Sequence, residues 1–101
     1  MKILIIEDDA TARYALHRAI RAPGREILEA QDGEAGLKQL KEAGADLAFL
    51  DLNMPVRDGI SILTELQSHP DWRSPEIIVL TANDSIDIAV ECIRRGAADF
   101  L

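Results

Sequence analysis

Short apolar runs recur along this chain, and a segment with helical spacing separates each from the next. "KILII" (2–6), "REILEA" (25–30), "DLAFLD" (46–51), "EIIVLTA" (76–82) and "AADFL" (97–101) are the runs. All are short, and "KILII" and the apolar part of "DLAFLD" run on without polar alternation. That is how a strand buried on both faces reads. Between them, "ATARYALHRAIRA" places Ala12, Ala15, Leu16, Ala19 and Ile20 at helical spacing, and Pro23-Gly24 closes it. Asp32 caps a helix starting near Gly33, with Leu37 and Leu40 as its apolar stripe and Gly44 as the residue after its end. "GISILTELQSH" puts Ile60, Leu63 and Leu66 on one face before Pro70. Asp84 caps "SIDIAVECIRR", which Gly96 ends. The alternation is β-α-β-α-β-α-β-α-β. It predicts an α/β fold with parallel strands, right-handed crossovers and helices on both sheet faces.

The chain has 101 residues, enough for one small domain with a single core. Only 4% of residues are aromatic, so that core is expected to be aliphatic. A formal charge of −7 argues against nucleic-acid binding by this chain, because phosphate contacts need a basic face. The one cysteine, Cys92, rules out an internal disulfide and reads as a small buried apolar residue. That suits a reducing compartment. The opening "MKILIIEDDA" is too short in its apolar part for a signal peptide, and no stretch reaches membrane-spanning length. The expectation is a cytoplasmic domain that makes no membrane contact.

In open parallel sheets, ligands bind beyond the carboxyl ends of the strands. Glu7, Asp8 and Asp9 follow the first run. Asp51 ends the third, with Asn53 two residues on. Thr81, Ala82 and Asn83 close the fourth, and Ala30, Gln31 and Asp32 the second. Singly each has a plain reading. An acid pair after a strand is also a solvated turn with a helix cap (Asp9 or Thr11 would serve), and a threonine is an ordinary strand residue. Jointly they converge on one edge. Three carboxylates there repel one another, and a hard divalent cation relieves the conflict. Asp8 and Asp51 are the candidate direct ligands of Mg²⁺ or Mn²⁺. Glu7 acts through water, and Asn53 supplies its backbone carbonyl. Such a site suits phosphoryl transfer, with Asp51 as nucleophile and the Thr81 hydroxyl on a phosphoryl oxygen. His17 and His69 lie away from this edge and lack ligand partners at useful spacing. Trp72 reads as a packing anchor in a Pro-bounded loop.

The pieces "ILIIEDD", "LDLNMPVRDG", "IIVLTA" and "GAADFL" together resemble the receiver domain of two-component response regulators, from Lys2 to Leu101. The resemblance implies a flavodoxin-like, doubly wound five-stranded parallel sheet in the order 2-1-3-4-5. It implies that Asp51 is the phosphoacceptor, that Glu7, Asp8, Asp51 and the Asn53 carbonyl hold the metal, and that Thr81 is the switch hydroxyl. Phe100 becomes the aromatic whose rotamer follows phosphorylation. The implied partner is a histidine kinase or histidine phosphotransfer domain, and the output is a changed surface around the fourth helix and fifth strand. The family continues past this point with a lysine, a proline and a fifth helix. Residues 1–101 are therefore expected to be a C-terminally incomplete receiver domain with four helices, either a fragment or a chain that covers its open sheet face as a homodimer. Two other functions compete. A phosphorylation-independent docking module would bind partners regardless of Asp51. A haloacid-dehalogenase-type phosphohydrolase would want an aspartate where Asn53 stands.

Overall fold

The computed structural model describes residues 1–42, 44–52, 59–69, 75–80 and 86–100, the side chains of 86–89 and of 100 excepted. The elements are β1 (Lys2–Ile6), α1 (Ala10–Ile20), β2 (Glu26–Ala30), α2 (Gly33–Glu42), β3 (Leu47–Asp51), α3 (Gly59–Ser68), β4 (Glu76–Leu80), α4 (Ile86–Arg94) and β5 (Asp99–Phe100). The strands form one parallel sheet in the order β2-β1-β3-β4-β5. The expected alternation and strand order are both present.

Local chemistry sets the boundaries. The Asp9 side chain caps α1 by accepting from the Ala12 amide at 3.2 Å. After α1 the chain turns through Ala22–Arg25, closed by the Arg25 amide on the Ala22 carbonyl at 3.1 Å. Pro23 and Gly24, with φ 82°, are the central pair that a type II turn demands. Asp32 caps α2 through the Ala35 amide at 2.8 Å. Helix α4 ends in a paired motif in which Gly96 (φ 99°) donates to Ile93 O at 3.1 Å and Ala97 to Cys92 O at 3.0 Å.

The crossover from β1 to β2 runs one way along the sheet and the later ones run the other way. Right-handed connections therefore put α1 on one face and α2, α3 and α4 on the opposite face. The packing agrees. Leu4, Ile6, Ala48, Leu50, Ile77 and Val79 of the sheet join Leu37, Leu40, Ile62, Leu63 and Cys92 in one aliphatic core. The alternate residues Ile3, Ile5 and Phe49 are buried too, but outside that cluster.

Two stripe expectations need correction. The α1 stripe does not form a buried row. Ala12, Ala15 and Ala19 are exposed, Leu16 and Ile20 are half-buried, and no residue of α1 is fully buried. Small side chains at those positions cover little of the sheet, so spacing alone overstated their burial. In α3 the deepest residues are Ile62 and Leu63, while Ile60 and Leu66 only pack against the core's margin. The helix is turned about its axis from the expected face. The strands and helices otherwise begin or end within one or two residues of the expected positions. The Asp84 cap, Trp72 and Pro70 lie outside the described residues.

Candidate functional site

Register delivers the acids to one place. Ile6 pairs with Leu50 across β1 and β3, so the next residues, Glu7 and Asp51, stand side by side where the ladder ends. In a parallel pair such neighbours face the same side. Asp51 in turn pairs with Leu80 of β4. Two further bonds extend the edge. The Glu7 amide donates to Ala30 O at 3.1 Å, and the Leu52 amide to Leu80 O at 3.1 Å. Gly59 opens α3 against this corner, its amide 3.3 Å from Leu52 O. A Cβ on Gly59 would lie 2.9 Å from the Asp51 carbonyl oxygen and 2.8 Å from a Leu52 methyl, so only glycine lets the helix start so close.

Glu7, Asp8 and Asp51 each offer a carboxylate oxygen, and these atoms lie within 4.8 Å of one another. Glu7 and Asp51 are half-buried and Asp8 is exposed. The Glu7 carboxyl is pushed up from 4.5 to about 7. Burial is the main cause, followed by its hydrogen bond to Asp51 and the negative charges of Asp51 and Asp8. The Asp9 amide, donating to Glu7 Oε1 at 3.2 Å, works in the other direction. Without a cation, Glu7 keeps a proton up to about pH 7, which relieves the repulsion below that pH. A hard divalent cation would relieve the same repulsion and release that proton, and an all-oxygen set from adjacent strand ends is the donor chemistry Mg²⁺ takes. The residues present fit such an ion.

Of the other expected site residues, Asn53 and Thr81 lie outside the described residues. Phe100 is placed by its backbone, paired with Val79 at the outer edge of the sheet. His17 and His69 sit away from the cluster, as expected. His17 Nδ1 is 2.8 Å from Glu29 Oε2, and His69 Nε2 is 3.7 Å from Glu65 Oε1. One residue that sequence reasoning passed over does touch the site. Arg13 Nη1 donates to the Glu7 carbonyl at 2.8 Å, and its Nε donates to Glu29 Oε1 at 3.0 Å. A cation in the first turns of a helix that leaves an acidic strand end was the available signal.

Residues 3–101 match the family model of the response regulator receiver domain. The chain is 35% identical over 100 residues to the transcriptional regulatory protein PrrA of Mycobacterium tuberculosis, covering 99% of this chain and 42% of that protein. It is 33% identical to a probable chemotaxis protein CheY of Rhizobium etli, covering 100% of this chain and 79% of that one. The chain thus spans about two fifths of the length of PrrA. Among solved structures, the receiver domain of the Francisella response regulator 1452 superposes with a TM-score of 0.90 at 28% identity, covering 99% of this chain and 81% of that one.

Proposed function

The chain belongs to the response regulator receiver domain family of two-component signalling, and from that membership we propose that residues 1–101 act as one receiver domain that accepts a phosphoryl group on Asp51. The observation that carries the reading is the convergence of Glu7, Asp8 and Asp51 at the carboxyl edge of β1 and β3. The donor is a phosphohistidine of a histidine kinase or phosphotransfer protein. A carboxylate oxygen of Asp51 attacks the phosphorus, the phosphorus–nitrogen bond breaks, and the imidazole leaves with the electron pair. Bound Mg²⁺ supplies neutralisation of the charge on the transferring group.

The chain's own residues do the rest. Glu7, Asp8 and Asp51 would hold the ion, together with the backbone carbonyl of Asn53. Glu7 would hold the ion as a carboxylate, without the proton it carries below about pH 7. Gly59 keeps the β3–α3 corner tight, which holds the Asp51 backbone still. Thr81 receives a phosphoryl oxygen, Phe100 follows, and the α4–β5 surface changes for a partner. In physical terms a local charge biases a two-state element. The protein works in the cytoplasm, where its kinase partner meets it. Among the described residues no helix is long and apolar enough to cross a membrane. The family match favours this reading over the phosphohydrolase.

The site of modification is open to direct mapping. The protein is phosphorylated with acetyl phosphate and Mg²⁺, reduced with borohydride, digested and sequenced by mass spectrometry. Reduction converts an aspartyl phosphate to homoserine. Homoserine at position 51 is the expected result. Homoserine elsewhere, with Asp51 intact, would sink the assignment.

A further inference from the structure

The turn that carries Glu7 and Asp8 is held from outside the site. The strand ladder ends at Glu7, whose amide still pairs with Ala30 O. Beyond it two carbonyls, of Glu7 and Asp8, point toward α1. Arg13 Nη1 lies 2.8 Å from the first and 3.5 Å from the second. The same guanidinium donates through Nε to Glu29 Oε1 at 3.0 Å, and the other Glu29 oxygen lies 2.8 Å from His17 Nδ1. Arg13 is thus one planar fork between the metal-site turn and β2, its side chain only 16% exposed.

We propose that Arg13, oriented by Glu29, is a positioning residue that fixes the Glu7–Asp8 turn in the conformation that binds the divalent cation. This rests on the receiver-site reading above. A change in ψ of Glu7 turns its carbonyl and re-aims the Asp8 side chain relative to that of Glu7, so holding the carbonyl holds the relative aim of the two carboxylates. The bond from Arg13 resists that rotation. Arginine suits the position better than lysine, since two donors of one rigid group are engaged at once. Partners of this kind, one shell out from the ligands, commonly govern metal affinity.

The sign of the effect separates positioning from simple electrostatics. Arg13 is a cation beside a cation site. If it acted only through its charge, removing it would tighten Mg²⁺ binding. Positioning predicts the opposite. The test is Mg²⁺ affinity of the metal-free protein by titration calorimetry, for wild type, Arg13→Ala, Arg13→Lys, Glu29→Ala and Arg18→Ala. Thermal melts without Mg²⁺ establish that each variant folds. Arg13→Ala should bind Mg²⁺ about 10-fold or more weakly, the lower end of what such outer-shell losses produce. Arg13→Lys should recover part of the loss. Arg18, which lies over the Tyr14 ring on α1 at 5.9 Å, should be replaceable without effect. A folded Arg13→Ala protein that binds Mg²⁺ as tightly as wild type, or more tightly, overturns the proposal. If Arg13→Ala does not fold, Arg13→Lys decides, because it keeps the charge: weaker binding than wild type supports the proposal and unchanged binding overturns it. Wild-type protein that binds no Mg²⁺ would overturn the underlying site reading along with it. Wild-type binding with an unaffected, folded Arg13→Ala overturns this proposal alone.

Discussion

At Glu7 the fold holds a carboxyl group half out of water and against Asp51, and its proton affinity answers to both. The folded value of about 7 lies above the ordinary 4.5. A raised carboxyl favours the folded state while it is protonated. That contribution is complete below the ordinary value and is lost as pH rises through about 7. Metal-free wild type should therefore lose stability between about pH 5 and pH 8, and Glu7→Gln should flatten that part of the curve. Mg²⁺ should restore stability on the alkaline side, because it replaces the proton. Thermal melts of the two proteins across this range, with and without Mg²⁺, check the sign. A wild-type curve no steeper than the variant's would contradict it. The acids themselves were legible in the sequence, as polar residues stopping otherwise apolar strands. Arg13 was passed over: a cation in the first turns of α1 after an acidic strand end was a signal, but its role lies in a contact with two backbone carbonyls.

Among the elements, strands were read well and helix faces less well. Strands buried on both sides declare themselves by composition alone, as Ile3–Ile6 and Ala48–Leu50 do. Caps also carried over, since Asp9 and Asp32 sit where a short acceptor side chain must precede a helix. A helix face depends on how the helix is rolled against the sheet, and α3 has apolar side chains on more than one side. Ile60, Ile62, Leu63 and Leu66 offer two overlapping stripes, and packing chose the one centred on Ile62 and Leu63. Ile62→Ala should then cost about 2–5 kcal/mol, the range for emptying a well-packed core position. Ile60→Ala, at the core's margin, should cost clearly less. Urea unfolding midpoints of the two variants measure the difference, and equal losses would put the roll of α3 in question. For α1 the pattern was present but its alanines are too small to cover the sheet. Charged and polar contacts from Arg13 and His17 to Glu29 tie the helix to β2 instead.

For the whole molecule, topology is what turns scattered acids into a site. The order β2-β1-β3-β4-β5 makes β1 and β3 neighbours, although 40 residues of chain separate Ile6 from Leu47. A parallel sheet then brings their carboxyl ends to a common edge, and the Ile6–Leu50 register sets Glu7 beside Asp51. Alternation of elements was enough to read the fold class, and the motif resemblance supplied the strand order. Neither gave the register, which comes from how apolar side chains interlock between layers. The account stands on Asp51 accepting a phosphoryl group with help from a cation held by Glu7 and Asp8. Intact-mass measurement after incubation with acetyl phosphate tests that most directly, on wild type and Asp51→Asn, with Mg²⁺ and with chelator. One added phosphoryl group on wild type with Mg²⁺, absent in the variant and with chelator, is the predicted result. An adduct that persists in folded Asp51→Asn, or no adduct on folded wild type with Mg²⁺, would contradict it.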